Sequence, residues 1–209
     1  SYEDNPAELI FDDFESTLFP NHPLGHNILG TPANLKRFGT QSGRSFVDRY
    51  YHPANAVLFV YGNIPFSRIV GWAERLTADI PTGVVNSGRV SPPPYQPHEL
   101  EIQRHTHQAH VMIGCAAYPA SDRRRTGLYL LNNMLGGPGM NSRLNLALRE
   151  HSGLVYNVES NLASYTDTGV FSIYFGTDTH DIDHCISLVQ NELRRLREHP
   201  LTTLQLAAA

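Results

Sequence analysis

The sequence predicts an α+β protein in which a mixed, largely antiparallel β-sheet packs with α-helices. The segments Val155–Ala163 and Gly169–Gly176 have strand patterns and are joined by SYTDT, which indicates a β-hairpin. The segment Asp181–Glu198 repeats apolar residues at helical spacing and carries arginines on its other face, which predicts a long amphipathic helix. The continuous apolar run Val57–Gly62 has the length of a strand and is typical of a central strand covered on both faces.

The first part of the chain places helices around that apolar run. Residues 2–19 repeat apolar side chains at helical spacing and end at a proline. A second helix is predicted at about 40–53 and a third at about 65–78, each closed by a following proline.

A change of composition separates two regions of the sequence. Residues 84–97 contain four prolines and show no sustained periodicity. A proline-stiffened linker is therefore predicted there, between a first region at 1–83 and a second at 98–209.

The second region is richer in strand patterns. Two of them cover Leu100–Thr106 and His110–Tyr118, and a helix pattern follows from Arg125 to Leu135. A glycine-rich turn and a short helix come next, and Gly153 is predicted to end that helix before the hairpin begins.

Composition and charge exclude several classes of function. The net charge of −4 and the pI near 6.2 argue against binding to polyanions, because nucleic-acid binders usually carry a concentrated basic face. No apolar stretch has the roughly 20 residues that a membrane helix needs. Cys115 and Cys185 fall at apolar positions and are interpreted as buried thiols.

The ends of the sequence indicate a piece of a longer protein. The chain lacks an initiator methionine and stops within LQLAAA, which resembles an unfinished helix. The cellular location of the parent protein is therefore left unknown, since its targeting signals would lie elsewhere.

The eleven histidines make a metal site the first hypothesis to test. The run His105-Thr-His107-Gln-Ala-His110 would place its first two histidines on one strand face, but no carboxylate follows at a spacing that completes a known site. The helical zinc motifs H-x-x-E-H and H-E-x-x-H do not occur in the sequence. A polar pair of strands explains the run more simply, so this chain is expected to hold no metal of its own.

The glycine-rich turn Gly136–Gly139 is similar to a phosphate cradle only superficially. It lacks the lysine of a P-loop, and the element before it is a helix rather than a strand. A loop whose backbone an extended peptide approaches closely is the better functional hypothesis.

Arg149 and Tyr156 flank the predicted stop at Gly153. A helix-to-strand reversal can bring both side chains to one rim, where a guanidinium group and a phenol would address the same ligand. The alternative is an ordinary arginine in the last helical turn, where a cation suits the helix dipole, and an ordinary strand tyrosine. The spacing alone leaves both interpretations open.

Two separated sets of motifs resemble the insulinase/pitrilysin-type zinc peptidases, the M16 family. The segment SRLNLALREHSGLVYNV, followed by SYTDTGVFSIYFGT, is similar to the signature of the family's second domain. The segments YEDNPAELIFDDF, HPLGHNILGT and YYHPANAVLFVYGN resemble the stretch that runs from just after the zinc site to the end of the first domain. The two sets occur in the family's order and together cover nearly the whole chain.

The resemblance implies that zinc belongs to the parent protein rather than to this chain. In the family, two histidines of H-x-x-E-H and a downstream glutamate hold the metal, and that glutamate would lie just before Ser1. Glu3 and Glu8 would continue its helix without touching the metal. The family's arginine and tyrosine pair maps onto Arg149 and Tyr156, which implies that they hold a substrate carbonyl and stabilise the oxyanion of the tetrahedral intermediate.

A shorter similarity concerns LGGPGMNSRL, which resembles the glycine-rich substrate loop in the non-catalytic subunit of the mitochondrial processing peptidase, a member of the same family. It marks five candidates for substrate binding: Gly136, Gly137, Gly139, Ser142 and Arg143. The implied partners are a peptide or protein substrate and the zinc-bearing remainder of the same chain, and a homo-oligomer stays open.

The resemblance also carries an expectation about packing. Family domains come as two similar repeats, and residues 1–83 and 98–209 resemble the back half of the first and the front half of the second. We therefore expect 1–209 to pack as one unit in permuted order, with Val57–Tyr61 pairing with the later strands. A dimer in which this pairing joins two chains is the alternative.

The function implied is that of a fragment of a zinc-dependent M16-type endopeptidase. The fragment would supply the substrate side of the cleft and would not be catalytic by itself. The first alternative is a non-catalytic family member that binds peptide or scaffolds an assembly. The second is an unrelated histidine-rich metal-binding protein, which rests on the histidine run alone.

Overall fold

The computed structural model describes residues 5–84, 88–104 and 106–208. The chain divides into two compact units, which we call the sheet unit (Ser1–Asn27 with Ser91–Ala209) and the helical unit (Ile28–Val90). In chain order the regular elements are α1 (Pro6–Leu18), α2 (Pro32–Leu35), α3 (Thr40–Tyr50), α4 (Phe66–Thr77), β1 (Ala109–Ala117), α5 (Arg124–Gly136), a π-helix (Asn145–Glu150), β2 (Val155–Ser164), β3 (Gly169–Thr177), α6 (Ile182–Glu198) and α7 (Thr203–Ala208).

The sheet unit contains a three-stranded antiparallel sheet in the order β1-β3-β2. Ile173 of β3 lies opposite Ile113 of β1 on one side and opposite Ser160 of β2 on the other. The predicted hairpin is therefore confirmed as β2 and β3, and β1 joins the free side of β3. The α+β class with an antiparallel sheet is confirmed as well.

One face of the sheet packs against helices to form the main core. This core consists of α5, the π-helix and α6 packed on alternate residues of the strands. Its buried apolar residues are Leu135, Leu144, Leu148, Val155, Val158, Ile173, Phe175, Cys185 and Val189. Leu144 and Leu148 are fully buried and fix the short helix on this core.

The other face of the sheet packs against α1. Leu18 and Phe19, at the end of that helix, form a second cluster with Val170 of β3. The ring of Phe11 lies 5.4 Å from the ring of Tyr174, an aromatic contact in the favourable distance range. Since both faces are covered, β3 is a central strand, and its two alternating sets of residues are both largely buried.

The described helices do not suit a membrane. The longest of them, α6, has 17 residues and places Arg195 and Arg197 in its last turn. Among the residues that the structure describes, no helix combines the length and apolar character needed to cross a bilayer.

The helical unit has large apolar side chains but scarcely any core of its own. Among its described residues His52 is the buried one, with its ring against the backbone at Gly83. Phe46 on α3 and Trp72 on α4 are 55% and 39% exposed.

Two predicted strands are wrong. Val57–Gly62 has no regular structure, and Val57, Phe59 and Tyr61 are 96%, 84% and 94% exposed. Leu100–Thr106 also lacks strand structure where it is described, and His105 lies outside the described residues. The physical reason is that an apolar run forms a strand only beside a partner, since unpaired backbone groups gain nothing from the extended conformation.

The expected pairing of Val57–Tyr61 with the later strands is wrong within this chain, while the packing of 1–209 as one unit in permuted order stays a prediction. The strands that pair are β1, β2 and β3, and Val57–Tyr61 joins none of them within the described part of this chain. Pairing between two chains stays a prediction, as does the assignment of 1–83 and 98–209 to two half-repeats. The two units are divided at two places, between Asn27 and Ile28 and between Val90 and Ser91, and the second of these lies within residues 84–97.

Candidate functional site

A groove runs between the end of α5 and the strand β2, and we call it the β2 groove. Its volume is about 450 Å³. Because the sheet order is β1-β3-β2, β2 is an edge strand, hydrogen-bonded to β3 on one side only. Residues 157–162 of β2 line the groove, together with residues of α5, the glycine-rich turn and the π-helix. The sheet therefore presents an edge strand to an open concave surface.

The floor of the groove depends on a close approach between α5 and β2. Asn132 donates from Nδ2 to the carbonyl of Ser160 at 3.2 Å, and Ser160 Oγ donates back to the carbonyl of Asn132 at 3.0 Å. A Cβ atom added to Gly136 would lie 2.7 Å from the backbone nitrogen of Ser160. The absence of a side chain at Gly136 therefore allows the helix end to touch the strand.

The next two glycines differ in their surroundings. Gly137 also lines the groove, and a side chain there would collide with the backbone of Asn133, one turn earlier on α5. Gly139 is exposed, and a Cβ atom there would meet only the side-chain oxygen of Asn141 at 2.5 Å. A side chain at Gly136 or Gly137 would thus collide with backbone atoms. A side chain at Gly139 would collide only with the side chain of Asn141, which can move aside.

Arg149 reaches the groove from the π-helix. In this helix the amide of His151 donates to the carbonyl of Leu146 at 2.9 Å, five residues back instead of four. Leu148 is buried and fixes the helix on the core, while the Arg149 side chain is 47% exposed and lines the groove. Its Nε lies 4.0 Å from Glu150 Oε1, a loose surface pair that leaves the guanidinium group available. Single turns of π-helix occur frequently at functional sites.

Tyr156 lies at a β-bulge. The register between β2 and β3 shifts between Val155 and Asn157, so Tyr156 is the extra residue and its side chain is 57% exposed. Its hydroxyl donates to Asp178 Oδ1 at 3.2 Å. The negative charge of Asp178 and this hydrogen bond raise the pKa of the Tyr156 phenol. The phenol is therefore a neutral hydrogen-bond donor at physiological pH.

The structure does not bring all the predicted site residues together. Arg149, Gly136 and Gly137 line the β2 groove, whereas Gly139 and Tyr156 are outside the lining, although Tyr156 is next to Asn157, which belongs to it. Ser142 is buried outside the lining, and its Oγ accepts from Asn145 Nδ2 at 2.8 Å.

Arg143 also lies outside the lining and contacts α6 instead. Its guanidinium group is 3.6 Å from a carboxylate oxygen of Glu192, a buried residue that also pairs with Arg195 at 2.8 Å. These contacts give Arg143 a structural role in joining the π-helix region to α6.

The histidine run does not form a cluster in the described residues. His105 lies outside them, and His110 on β1 makes a 2.9 Å hydrogen bond between its Nδ1 and the Tyr174 hydroxyl. In the part that the structure describes, Asp178, His180 and Asp181 form the one group with metal-ligand atoms close together. That group differs from the two histidines and one glutamate that the family resemblance implies as zinc ligands.

The sequence could not indicate the groove itself. Asn132 and Ser160 are 28 residues apart, and Tyr156 and Asp178 are 22 apart, so their contacts depend on the packing of whole elements. The one available signal is the glycine-rich turn Gly136–Gly139, which predicts the close approach of an extended peptide and not the approach of α5 to β2 that Gly136 allows.

Comparison with known proteins settles the family. Residues 39–209 match the sequence profile described as the peptidase M16 inactive domain. The chain belongs to the M16 peptidase family. It is 33% identical over 205 residues to the uncharacterized zinc protease YmxG of Bacillus subtilis, covering 98% of this chain and 49% of that protein. It is 32% identical over 196 residues to an uncharacterized zinc protease of Rickettsia felis, covering 94% of this chain and 47% of that protein.

Solved structures agree on the M16 fold. A crystal structure of a peptidase M16 inactive domain from Pseudomonas fluorescens matches 99% of this chain and 50% of its own, with a TM-score of 0.91 and 24% identity. A protease from Helicobacter pylori matches with a TM-score of 0.84 and 17% identity, over 99% of this chain and 51% of its own. The chain thus spans about half the length of the relatives that it matches, which implies a partner domain in such proteins.

Proposed function

We propose that this chain forms the substrate-side wall of the cleft in a zinc-dependent M16 endopeptidase whose zinc ligands lie in the other half of the parent protein. The observation that carries the proposal is that Arg149 enters a groove along the edge strand β2. Membership of a family whose relatives are named zinc proteases supports the reaction class.

An extended peptide is the ligand that this groove suits. Edge strands bind peptides by adding a strand, with main-chain hydrogen bonds giving affinity. The carbonyl of Ser160 already accepts a hydrogen bond from the side-chain amide of Asn132, which lies where the N–H group of a bound peptide would lie. The backbone of β2 from 157 to 162 lies along the groove, so a bound segment would run beside it.

Arg149 and Tyr156 are proposed to act on the substrate carbonyl. A guanidinium group and a neutral phenol are both donors, and donors aimed at a developing oxyanion lower the barrier to acyl transfer. The Tyr156 hydroxyl can donate one hydrogen bond, and in this structure it donates that bond to Asp178. To reach a substrate, the phenol would exchange Asp178 for the substrate oxygen as its hydrogen-bond acceptor.

The glycine-rich turn is proposed to admit the substrate backbone. Gly136 and Gly137 keep that side of the groove free of side chains, and Gly139 is exposed beyond it. Ser142 and Arg143 would support the turn from behind, through Asn145 and Glu192 respectively.

Replacement of the two donors in the full-length protein tests the proposal. We expect Arg149→Ala and Tyr156→Phe each to lower kcat for peptide hydrolysis by on the order of 100-fold to 1,000-fold, the usual loss for one oxyanion donor. Arg197→Ala, on the exposed end of α6, is the control and should hydrolyse peptides at the wild-type rate. Wild-type turnover in both site variants would remove the pair from the mechanism.

A non-catalytic role is the second candidate. The matching profile is that of an inactive domain, and the same fold occurs in a chain of Complex III from Candida albicans, with a TM-score of 0.81 and 15% identity over 98% of this chain and 50% of that one. A full-length protein that binds peptides without hydrolysing them, and that lacks H-x-x-E-H, would favour this role.

A further inference from the structure

The β2 groove combines polar amides with nearly balanced charge. Five of its lining residues are asparagines, at positions 132, 133, 145, 157 and 161. Its charged side chains are one arginine, Arg149, and one glutamate, Glu159. Three of these amides already donate within the protein, Asn132 to Ser160, Asn145 to Ser142 and Asn161 to Glu159, so the edge backbone of β2 is the main partner for a peptide main chain. A groove without net charge gives no electrostatic preference for a strongly charged occupant.

Two large apolar side chains in the same lining remain in contact with solvent. Tyr129, on α5, is 63% exposed, and Met140, in the turn after α5, is 66% exposed. Ligand sites combine apolar side chains with a few placed polar groups, and the apolar ones contribute most of the contact area. Methionine adapts its shape to different apolar partners, and tyrosine presents a large rigid ring.

We infer that Tyr129 and Met140 form a side-chain subsite of the β2 groove that selects an apolar residue of an uncharged, extended peptide. The edge backbone of β2 holds the peptide main chain, and these two side chains contact one apolar side chain that projects from it. The inference rests on the proposed function, because it takes the occupant of the groove to be an extended peptide substrate.

The test compares the dissociation constants of matched peptides for the full-length protein. The peptides are uncharged and are compared in pairs. The two peptides of a pair differ at one position, which is leucine in one and serine in the other, and this position moves along the peptide from pair to pair. We expect one position at which the wild-type protein binds the leucine peptide about tenfold or more tightly, in the range that a hydrophobic pocket provides. The double variant Tyr129→Ser with Met140→Ser should reduce that preference to near onefold while it still binds the serine peptide as the wild type does.

Leu131→Ser is the matched control. Leu131 lies on the same helix and is 36% exposed, but it is outside the lining of the β2 groove, so its replacement should keep the preference. The inference is overturned if the double variant keeps the leucine preference, if the wild type has none, or if no peptide binds.

Turnover of the Arg149→Ala variant separates this inference from the proposed function. Loss of that donor should slow hydrolysis of the leucine and serine peptides by the same factor and leave the ratio of their dissociation constants unchanged. A normal rate with Arg149→Ala, together with a preference that depends on Tyr129 and Met140, would refute the proposed mechanism and retain the subsite.

Discussion

Gly136 is the residue at which sequence, packing and site are most directly connected. It ends α5, it is buried, and it lets the helix reach the backbone of Ser160. The Asn132 and Ser160 hydrogen bonds sit one turn away and depend on the same close approach. The shape of the β2 groove therefore rests on the absence of one methyl group.

Replacement of this glycine by alanine should destabilise the protein. In Gly136→Ala the new methyl group would lie 2.7 Å from the Ser160 backbone nitrogen, and neither backbone can move away cheaply. We expect a loss of about 1–3 kcal/mol in the free energy of unfolding, as for other overpacked sites. Urea denaturation of the two proteins measures the difference.

Gly127 provides a control on the same helix. A Cβ atom there meets nothing within 4 Å, so Gly127→Ala should stabilise the protein by up to about 1 kcal/mol through helix propensity alone. If Gly136→Ala unfolds at the same urea concentration as the wild type, the close approach of α5 to β2 does not govern stability.

At the scale of elements, α1 is joined to the hairpin of β2 and β3 by a titratable contact. The Tyr165 hydroxyl donates to Glu15 Oε1 at 3.3 Å across 150 residues of sequence. Burial raises the pKa of Glu15, the nearby charge of Asp12 raises it further, and the Tyr165 hydrogen bond opposes the rise. The folded state thus binds this proton more tightly than the unfolded state, so its stability falls as the pH rises through the raised pKa.

Glu15→Gln should therefore stabilise the protein at neutral pH. Glutamine keeps an oxygen that accepts from Tyr165 but removes the charge that burial disfavours. The gain in the free energy of unfolding should be present at pH 7 and should shrink as the pH falls through the raised pKa of Glu15 towards 4.5, the ordinary pKa of a glutamate. It should be absent at lower pH, where Glu15 is protonated in both states. Unfolding curves recorded across this pH range measure the effect.

Glu101→Gln is the control for that experiment, because Glu101 is exposed in a segment without regular structure. It should leave the pH dependence of stability as in the wild type. A Glu15→Gln variant that is less stable than the wild type at pH 7 would show that the charged carboxylate is favourable in its site.

The same elements show how far the sequence predicts the structure. The strands β2 and β3 and the helix α6 follow from local sequence patterns, although β3 is largely buried on both faces and not on one alone. Val57–Gly62 has an equally strong strand pattern and yet has no strand structure here, because a strand also needs a neighbour. The π-helix at Arg149 and the bulge at Tyr156 escape prediction for a related reason, since both arise where the core fixes one residue and the chain must adjust around it.

At the scale of the whole molecule, the helical unit is the part that exposes many large apolar side chains. Val57, Phe59 and Tyr61 are almost fully exposed, and such apolar surface usually marks a contact with another segment. The relatives are about twice as long as this chain. We propose that Val57–Tyr61 pairs as a strand with the other half of the parent protein, in keeping with its assignment to the first repeat.

Hydrogen exchange measures this pairing directly. In the 209-residue chain the amides of Val57–Tyr61 should exchange nearly as fast as in an unfolded peptide, because they lie outside the described sheet. In the full-length protein they should slow by at least about 100-fold, since a strand partner would then protect them. The amides of Ile173 and Phe175 in the central strand β3 serve as the internal control and should be protected in both proteins. Rapid exchange at Val57–Tyr61 in a full-length protein whose β3 is protected would mean that this apolar run pairs with neither half, and the assignment of residues 1–83 to a first repeat would fail.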